Sequence, residues 1–347
     1  MKDVLTYSGL STKIRKMDSN LLSKEQINEL CELTSVNEVI EYLNGLDSYK
    51  EIFSNVNILS LRRRDLERLL NISSYKDFLK LYNFSSITQR KYFKIFFLRY
   101  EVSVLKQVFR EVIDKQKISY SFSEIIPFFN KFSDISLEDL SKITSVEEGI
   151  NLLENTVYFK PLKYLLNLND YTIFDIELTL DLFYFKYIWK ALHKYIKKKD
   201  LEIVASTYGS TIDFLNITWI YRCLYFYNMT YEEKKNVLIP ISYKLKFSVV
   251  DKMLKAENID EFNKIFSETS YGKKFSPVEI NEHNYEKLSK RFLRRLYELN
   301  FKNNPYSLAC VDTYLYKKNQ ELKLIVSITE SIRYSLPKEE IFNIINY

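Results

Sequence analysis

Glycine, proline, cysteine and histidine are all scarce in this sequence. Its 347 residues include 5 Gly, 6 Pro, 3 Cys and 2 His. An all-β chain of this length would need many more turn-forming residues, because hairpin connections depend on them. The apolar residues recur at spacings of three and four, which is typical of amphipathic helices. The sequence therefore predicts an all-α fold, and no Pro/Gly/Ser-rich linker divides it.

The scarcity of histidine and cysteine also limits the chemistry that the chain can perform. His193 lies in WKALHKY and His283 in NEHNYEK, and neither context resembles a metal site or a catalytic triad. Cys31, Cys223 and Cys310 stand among apolar residues without metal-ligand spacing, so we expect reduced, buried thiols in a cytosolic protein. The glycines are isolated from one another, which excludes a phosphate-binding loop. We expect no catalytic residue, no metal and no cofactor.

Long hydrophobic runs are absent as well. The most apolar stretch, residues 173–192, contains Asp175, Glu177, Asp181 and Lys186. Charges at these positions would be costly inside a bilayer, so the stretch predicts a buried core helix and no transmembrane segment. The first residues of the sequence contain no apolar run of signal-peptide length, which agrees with a cytosolic location.

Glu177 and Asp181 are spaced i and i+4, which places both carboxylates on one helix face. Paired carboxylates can bind a divalent cation or perform acid–base catalysis. No second acidic helix with a matching pattern completes such a site in this sequence. The favoured interpretation is a salt-bridged structural pair, and an all-α enzyme with an acidic site here is the distant alternative.

Charge of both signs is abundant and nearly balanced, with 51 basic and 45 acidic residues and a net charge of +6. Nucleic-acid-binding proteins usually concentrate positive charge on one face. The basic clusters here are short, at Arg62–Arg64, Lys197–Lys199 and Lys290–Arg295, and each lies within or beside a helical pattern. They favour solvated helix faces or a protein contact over nucleic-acid binding.

One phrase occurs three times. The copies are LTSVNEVIEYLNGLDSY at 33–49, ITSVEEGINLLENTVY at 143–158 and AENIDEFNKIFSETSY at 256–271. Each copy has the pattern of a capped helix start, in which a Ser or Asn is followed three residues later by Glu. Each copy ends on a tyrosine, and these are Tyr49, Tyr158 and Tyr271.

Two further landmarks repeat in the same order at a period of 108–113 residues. The first is an acid followed nine residues later by a charged residue, at Glu101 and Arg110, Asp213 and Arg222, and Glu321 and Glu330. The second is Ile-Pro, at 126–127 and 239–240. Three copies of one helical unit explain this order. We predict three similar helical domains at about 1–115, 116–228 and 229–347, with pseudo-threefold symmetry.

The landmarks resemble the C subunit of V-type and archaeal-type rotary ATPases, which eukaryotes call the d subunit. The opening Tyr7 to Leu22 stretch looks like the first helix of that family. The residues that resemble the family's central and C-terminal motifs are Glu177, Leu180, Asp181, Tyr184, Asp213, Asn216 and Glu321. The first copy departs from the Asp-x-x-Asn pattern, because it has Glu101 and Val104 instead.

The resemblance implies a non-catalytic subunit of the central rotor. Its three domains would form a funnel whose mouth receives the central shaft and whose base sits on the membrane proteolipid ring. The protein would then lie peripherally on the cytoplasmic face of the membrane and couple the shaft to the ring during ATP-driven or ATP-producing ion transport. Nucleic acid and small-molecule substrates are not expected partners. The alternative is an all-α tandem-domain scaffold for cytosolic protein–protein interactions.

Arg110 and Arg222 occupy equivalent positions in two copies of the repeat. Within the resemblance, they are candidates for an inward-pointing arginine pair that contacts the shaft. The alternative is that each forms a buried or interdomain ion pair. Both interpretations remain open at the level of sequence.

Overall fold

A computed structural model describes residues 2–54, 61–114, 123–168, 170–227, 229–281 and 284–345. Every regular element in these ranges is helical, which confirms the all-α prediction. His283 lies outside the described residues. Two short 3-10 helices, Tyr164–Asn167 and Gly272–Lys274, accompany the α-helices of the described ranges. In chain order those α-helices are α1 (Lys2–Asp18), α2 (Lys24–Glu32), α3 (Val36–Asn44), α4 (Lys50–Phe53), α5 (Arg63–Phe84), α6 (Ile87–Ile113), α7 (Ile126–Phe132), α8 (Leu137–Leu140), α9 (Val146–Leu152), α10 (Phe159–Lys163), α11 (Ile173–Tyr195), α12 (Lys198–Tyr225), α13 (Tyr231–Asn236), α14 (Phe247–Lys255), α15 (Ile259–Glu268), α16 (Pro277–Asn281), α17 (Tyr285–Asn303), α18 (Ala309–Arg333) and α19 (Lys338–Ile345).

The three repeated phrases form three equivalent helix starts, at α3, α9 and α15. In each, the side-chain oxygen of the N-cap residue accepts the backbone N–H three residues on, as the sequence pattern predicts. The bonds run from Glu38 N to Ser35 Oγ at 3.2 Å, from Glu148 N to Ser145 Oγ at 3.1 Å and from Glu261 N to Asn258 Oδ1 at 2.9 Å. The glutamate in turn accepts an N–H from the residue before the cap, namely Thr34, Thr144 or Glu257.

The described chain divides into two compact units. Unit 1 comprises Met1–Ile87 and Tyr297–Tyr347, so it joins both ends of the sequence. Its centre is α18, which packs against α1, α3 and α5. Buried residues from these helices include Ile14, Leu43, Phe78 and Ile325, each at most 1% exposed.

Unit 2 comprises Thr88–Leu296 and contains the second and third copies of the repeated phrase. Its helices α11 and α12 form an antiparallel hairpin, and α12 also contacts α13, α14 and α15. Large rings fill the core around α6 and α7. Phe97 lies 5.2 Å from Phe128 and 5.3 Å from Phe129, between ring centroids, and such ring pairs contribute beyond their buried area. Aromatic residues make up 16% of the sequence, and in this region their rings serve packing.

Three sequence expectations concern buried or apolar residues. Cys31, Cys223 and Cys310 are all buried free thiols, and burial raises the pKa of the Cys31 thiol to about 11. The apolar stretch 173–192 lies in α11, where Leu180 and Leu192 are fully buried. No described helix has both the length and the apolar composition that a bilayer crossing requires. The assignment of three domains at 1–115, 116–228 and 229–347 stays a prediction.

Candidate functional site

The three repeated tyrosines each donate a hydrogen bond to one of the three repeated acids. The bonds run from Tyr158 Oη to Glu101 Oε2 at 2.7 Å, from Tyr271 Oη to Asp213 Oδ2 at 2.6 Å and from Tyr49 Oη to Glu321 Oε1 at 2.5 Å. All six side chains are buried, and none is more than 7% exposed. We call these the carboxylate–tyrosine clusters. In each cluster, the acid on a long helix binds the tyrosine at the end of a repeated phrase, which lies elsewhere in the sequence.

Each carboxylate also holds a third segment, which lies 12 to 15 residues before the N-cap of the phrase. The Glu321 carboxylate accepts the backbone N–H of Leu22 at 2.5 Å, and the Glu101 carboxylate accepts the Ser133 hydroxyl. Asp213 accepts three backbone N–H groups, from residues Tyr243, Lys244 and Leu245, at 3.2, 2.7 and 3.0 Å. One buried acid therefore fixes two otherwise separate stretches of chain on its helix.

Two neighbours on α12 complete the Asp213 cluster. Gly209, one turn before Asp213, lets the 243–245 segment approach, because a Cβ at this position would lie 2.4 Å from Cγ of Tyr243. Asn216, one turn after Asp213, donates to the carbonyl of Ile239 and accepts its N–H, both at 2.9 Å. The Asn216 amide thus binds the backbone of the Ile-Pro landmark through both of its polar groups. The first copy has Val104 at the position of Asn216, so it lacks this contact.

The clusters also differ at the position three residues before the acid. Lys318 occupies it in the Glu321 cluster and is 2% exposed. Its Nζ lies 3.0 Å from Glu321 Oε1 and 2.9 Å from Tyr49 Oη, and 4.3 Å from the centroid of the Tyr49 ring. The equivalent residues are Leu98 and Ser210. Only one of the three clusters therefore contains a buried cation at this position.

Burial shifts the titration of these groups. Desolvation raises the pKa of the Glu101 carboxyl, and hydrogen bonds from Ser133 and Tyr158 partly offset it. Desolvation likewise raises the pKa of Asp213, against hydrogen bonds from Tyr271 and the backbone of residues 243–245. Burial, followed by the adjacent carboxylates, raises the pKa of the Tyr49, Tyr158 and Tyr271 phenols. The phenols therefore stay protonated and act as donors.

We expect the contribution of Glu101 to stability to fall as the pH rises. A carboxyl whose pKa is higher in the folded than in the unfolded chain holds more protons when folded, so the free energy of unfolding decreases upward from its ordinary pKa of 4.5. Glu101→Gln removes this titration. Urea unfolding of both proteins at pH 4.5 and pH 7.5 should show that the substitution costs less stability at the higher pH. A cost that is constant or larger at pH 7.5 would contradict the expectation.

The predicted arginines Arg110 and Arg222 form equivalent ion pairs in the structure. Arg110 on α6 pairs with Glu177 on α11, and Arg222 on α12 pairs with Glu286 on α17. Neither arginine is buried, since their side chains are 59% and 43% exposed. Both remain accessible to a partner.

The third copy has an acid at the arginine position. Glu330 on α18 stands at the arginine position and pairs with Arg333 at 3.1 Å. The hydrogen bond that Arg63 on α5 donates to the Glu67 carboxylate raises the pKa of Arg63, and the charge of Glu330 adds to this effect. The equivalent position therefore carries an acid in the third copy, and its ion pair with Arg333 lies within α18.

The remaining motif residues lie on α11. Asp181 pairs with Lys106 on α6 at 2.6 Å, one turn from the Arg110–Glu177 pair. The carboxylates of Glu177 and Asp181 are thus both engaged by cations from α6. Leu180 between them is fully buried, and the ring of Tyr184 packs edge-on against Phe185 with centroids 5.0 Å apart.

Comparison with known proteins identifies the family of this chain. The family model described as ATP synthase (C/AC39) subunit matches residues 10–344. The chain is 26% identical over 344 residues to the C subunit of the A-type ATP synthase from Pyrococcus abyssi, covering 96% of this chain and 89% of that protein. It is 24% identical over 343 residues to the corresponding protein of Thermococcus kodakarensis, with the same coverage, and 26% identical over 351 residues to that of Pyrococcus horikoshii, covering 98% and 90%. The match extends over all three carboxylate–tyrosine clusters, and the chain belongs to the ATP synthase (C/AC39) subunit family.

Proposed function

We propose that this chain is a non-catalytic rotor subunit of a V-type or A-type ATPase. It couples the central shaft to the membrane proteolipid ring, from the cytoplasmic face of the membrane, during ATP-driven or ATP-producing ion transport. The observation that carries the proposal is the family match over residues 10–344, together with relatives that are C subunits of A-type ATP synthases. The enzymatic activity of such a complex lies in other subunits, and this chain contributes a mechanical connection.

The three clusters suit a part that transmits torque. Each joins three segments through hydrogen bonds inside the core, and in unit 1 these segments come from opposite ends of the sequence. Hydrogen bonds to a charged, buried acceptor are stronger than neutral ones and are difficult to replace by water. A protein whose core segments are joined by such hydrogen bonds resists local unfolding when torque acts on it.

The direct experiment is co-purification of the tagged full-length chain with the shaft subunits and with the proteolipid ring, each in separate preparations. The proposal expects stoichiometric recovery of both. Recovery of neither partner by a folded chain contradicts it, and recovery of other cytosolic proteins instead would support the scaffold alternative.

Arg110 and Arg222 are expected to contribute to shaft binding. Exposed ion pairs contribute at most about 1 kcal/mol to stability, so Arg110→Ala with Arg222→Ala should leave the fold intact. We expect the double variant to bind the shaft at least tenfold more weakly in a pull-down or in surface plasmon resonance, since two exposed charges are lost from the contact.

The matched control removes the partners of the two arginines. Glu177→Gln with Glu286→Gln breaks the same ion pairs and leaves both guanidinium groups free. This variant should keep shaft affinity if the arginines contact the shaft. Equal loss by both variants would assign the pairs to structure alone, and unchanged affinity of the arginine variant would exclude the contact.

A further inference from the structure

The turn between α11 and α12 carries an unbalanced run of positive charge. Residues 186–199 contain six lysines and no acidic residue, in a chain whose total net charge is +6. Five of these side chains are described and exposed, at Lys186, Lys190, Lys194, Lys197 and Lys199. We call this surface the lysine turn.

The lysine turn is not required by the fold. Two sister pairs of consecutive long helices, α5 with α6 and α17 with α18, are likewise each joined by a short connection. The windows of residues that correspond to 186–199, placed in the same way around the ends of α5 and α17, are 75–88 and 294–307. Residues 75–88 contain two lysines and one aspartate, and residues 294–307 contain three basic residues and one glutamate. Helices in the same role therefore form without such a concentration of lysine.

Ion pairs within the protein do not neutralise the three lysines of the lysine turn that lie on α11. Lys186, Lys190 and Lys194 recur every four residues and so follow one face of the helix, about 6 Å apart along its axis. None of the three has an acidic partner among the described residues. The opposite face is buried through Ile188, Ala191 and other apolar residues. The three ammonium groups are thus exposed to solvent on a helix that is held in place by its buried face.

Aromatic rings accompany the lysines. Tyr187 is 36% exposed and Tyr195 is 49% exposed, and Nζ of Lys194 lies 5.0 Å from the centroid of the Tyr195 ring. Tyrosine and tryptophan favour the boundary between water and the apolar part of a bilayer, where one end of the ring is wet and the other is not. The half-buried Trp189 belongs to the same helix end.

The composition of the lysine turn favours lipid over protein or nucleic acid. Lysine is depleted in protein–protein interfaces, where arginine is enriched, and bidentate recognition of a phosphate or carboxylate also uses arginine. Residues 186–199 contain no arginine. Clusters of four to eight basic residues beside aromatic side chains instead suit the diffuse negative potential of anionic lipid headgroups, which needs charge but no fixed geometry.

We propose that the lysine turn is a binding surface for anionic phospholipid headgroups, which would give the protein a direct contact with the bilayer surface. The inference goes beyond the proposed coupling of shaft and ring, because it requires neither partner. It can hold or fail on the isolated full-length chain, so its failure is distinguishable from failure of the proposed function.

The test is co-sedimentation of the full-length chain with vesicles of phosphatidylcholine alone or with about 30% phosphatidylglycerol. We expect binding to the anionic vesicles only, with the affinity falling steeply between about 0.05 and 0.5 M NaCl as the charges are screened. The charge-reversed variant Lys186→Glu/Lys190→Glu/Lys194→Glu should bind at least tenfold more weakly.

Two controls isolate the site. Lys287→Glu/Lys290→Glu/Arg295→Glu makes the same charge change at three exposed residues of the sister helix α17 and should retain binding within about threefold. Lys186→Arg/Lys190→Arg/Lys194→Arg keeps the charge, guards against a folding defect and should bind like the original protein. Absence of anionic binding, or equal losses in both charge-reversed variants, overturns the proposal. Tighter binding to a labelled single-stranded oligonucleotide, abolished by the same α11 variant, also overturns it.

Discussion

Asp213→Ala is expected to lower the free energy of unfolding by about 3 to 5 kcal/mol, among the largest single-residue effects in the chain. The substitution removes the acceptor for the Tyr271 hydroxyl and for the three N–H groups of residues 243–245. The Tyr271 hydroxyl is fully buried and keeps the long contact with Ser210 Oγ at 3.4 Å, and a buried donor without a good acceptor costs about 1 to 3 kcal/mol. The same segment packs closely on α12, since a Cβ at Gly209 would lie 2.4 Å from Cγ of Tyr243. Urea denaturation of the full-length protein measures the loss.

A second aspartate provides the control for this prediction. Asp251 is part of an exposed ion pair with Lys255 at 2.7 Å, and an exposed pair contributes at most about 1 kcal/mol. Asp251→Ala should therefore change the unfolding free energy far less than Asp213→Ala. Asp213→Asn should fall between wild type and alanine, since its amide keeps one acceptor oxygen but turns two N–H donors toward other donors. Equal effects of the two alanine variants would refute a structural role for Asp213.

The sequence predicted those features that depend on neighbouring residues. The starts of α3, α9 and α15 were predictable because an N-cap residue and the glutamate three residues later interact within one turn. The periodic acids and tyrosines were also visible as separate landmarks. The acids and the tyrosines repeat with a common period, which indicates that the two landmarks are related. This period does not identify the hydrogen bonds between them.

The partners of the clusters were not predictable from local patterns, because they are distant along the chain. Tyr49 and Glu321 are 272 residues apart, and their contact depends on both ends of the sequence folding into one unit. Each phrase is held by the acid that follows the previous phrase, except that the first phrase is held by the last acid. The burial of Lys318 was not predictable from the sequence either, because a lysine on an amphipathic helix usually faces solvent.

The ion pairs show the same limit. Arg110 and Arg222 were identified as equivalent from their spacing, but Glu177 and Glu286 could not be assigned to them, since the pairs join different helices. In the third copy the sequence shows only that Glu330 replaces the arginine. In the structure Glu330 pairs with Arg333 on its own helix, so a cation within α18 compensates the acid.

Glu321→Gln is the second substitution with a large expected effect, about 3 to 5 kcal/mol of unfolding free energy. The carboxylate is the negative partner of Lys318, whose side chain is 2% exposed, and it also accepts hydrogen bonds from Tyr49 and Leu22. The glutamine that replaces it offers the ammonium group a neutral amide oxygen but no negative charge, so the buried cation beside the Tyr49 hydroxyl and ring loses its counter-charge. Removing one member of a buried ion pair is far more costly than never having the pair, because the surviving charge is uncompensated.

The sister clusters indicate how this loss can be reversed. The Glu101 cluster has Leu98 at the position of Lys318, and its carboxylate is held by hydroxyl donors alone. Lys318→Leu should therefore cost less than Glu321→Gln, about 1 to 2 kcal/mol, since the Glu321 cluster would then resemble the Glu101 cluster. The double variant Lys318→Leu/Glu321→Gln should be more stable than Glu321→Gln alone, because it no longer contains a buried unpaired charge. A double variant whose losses simply add would show that Lys318 and Glu321 stabilise the core independently, and that burial of the lysine does not depend on the acid.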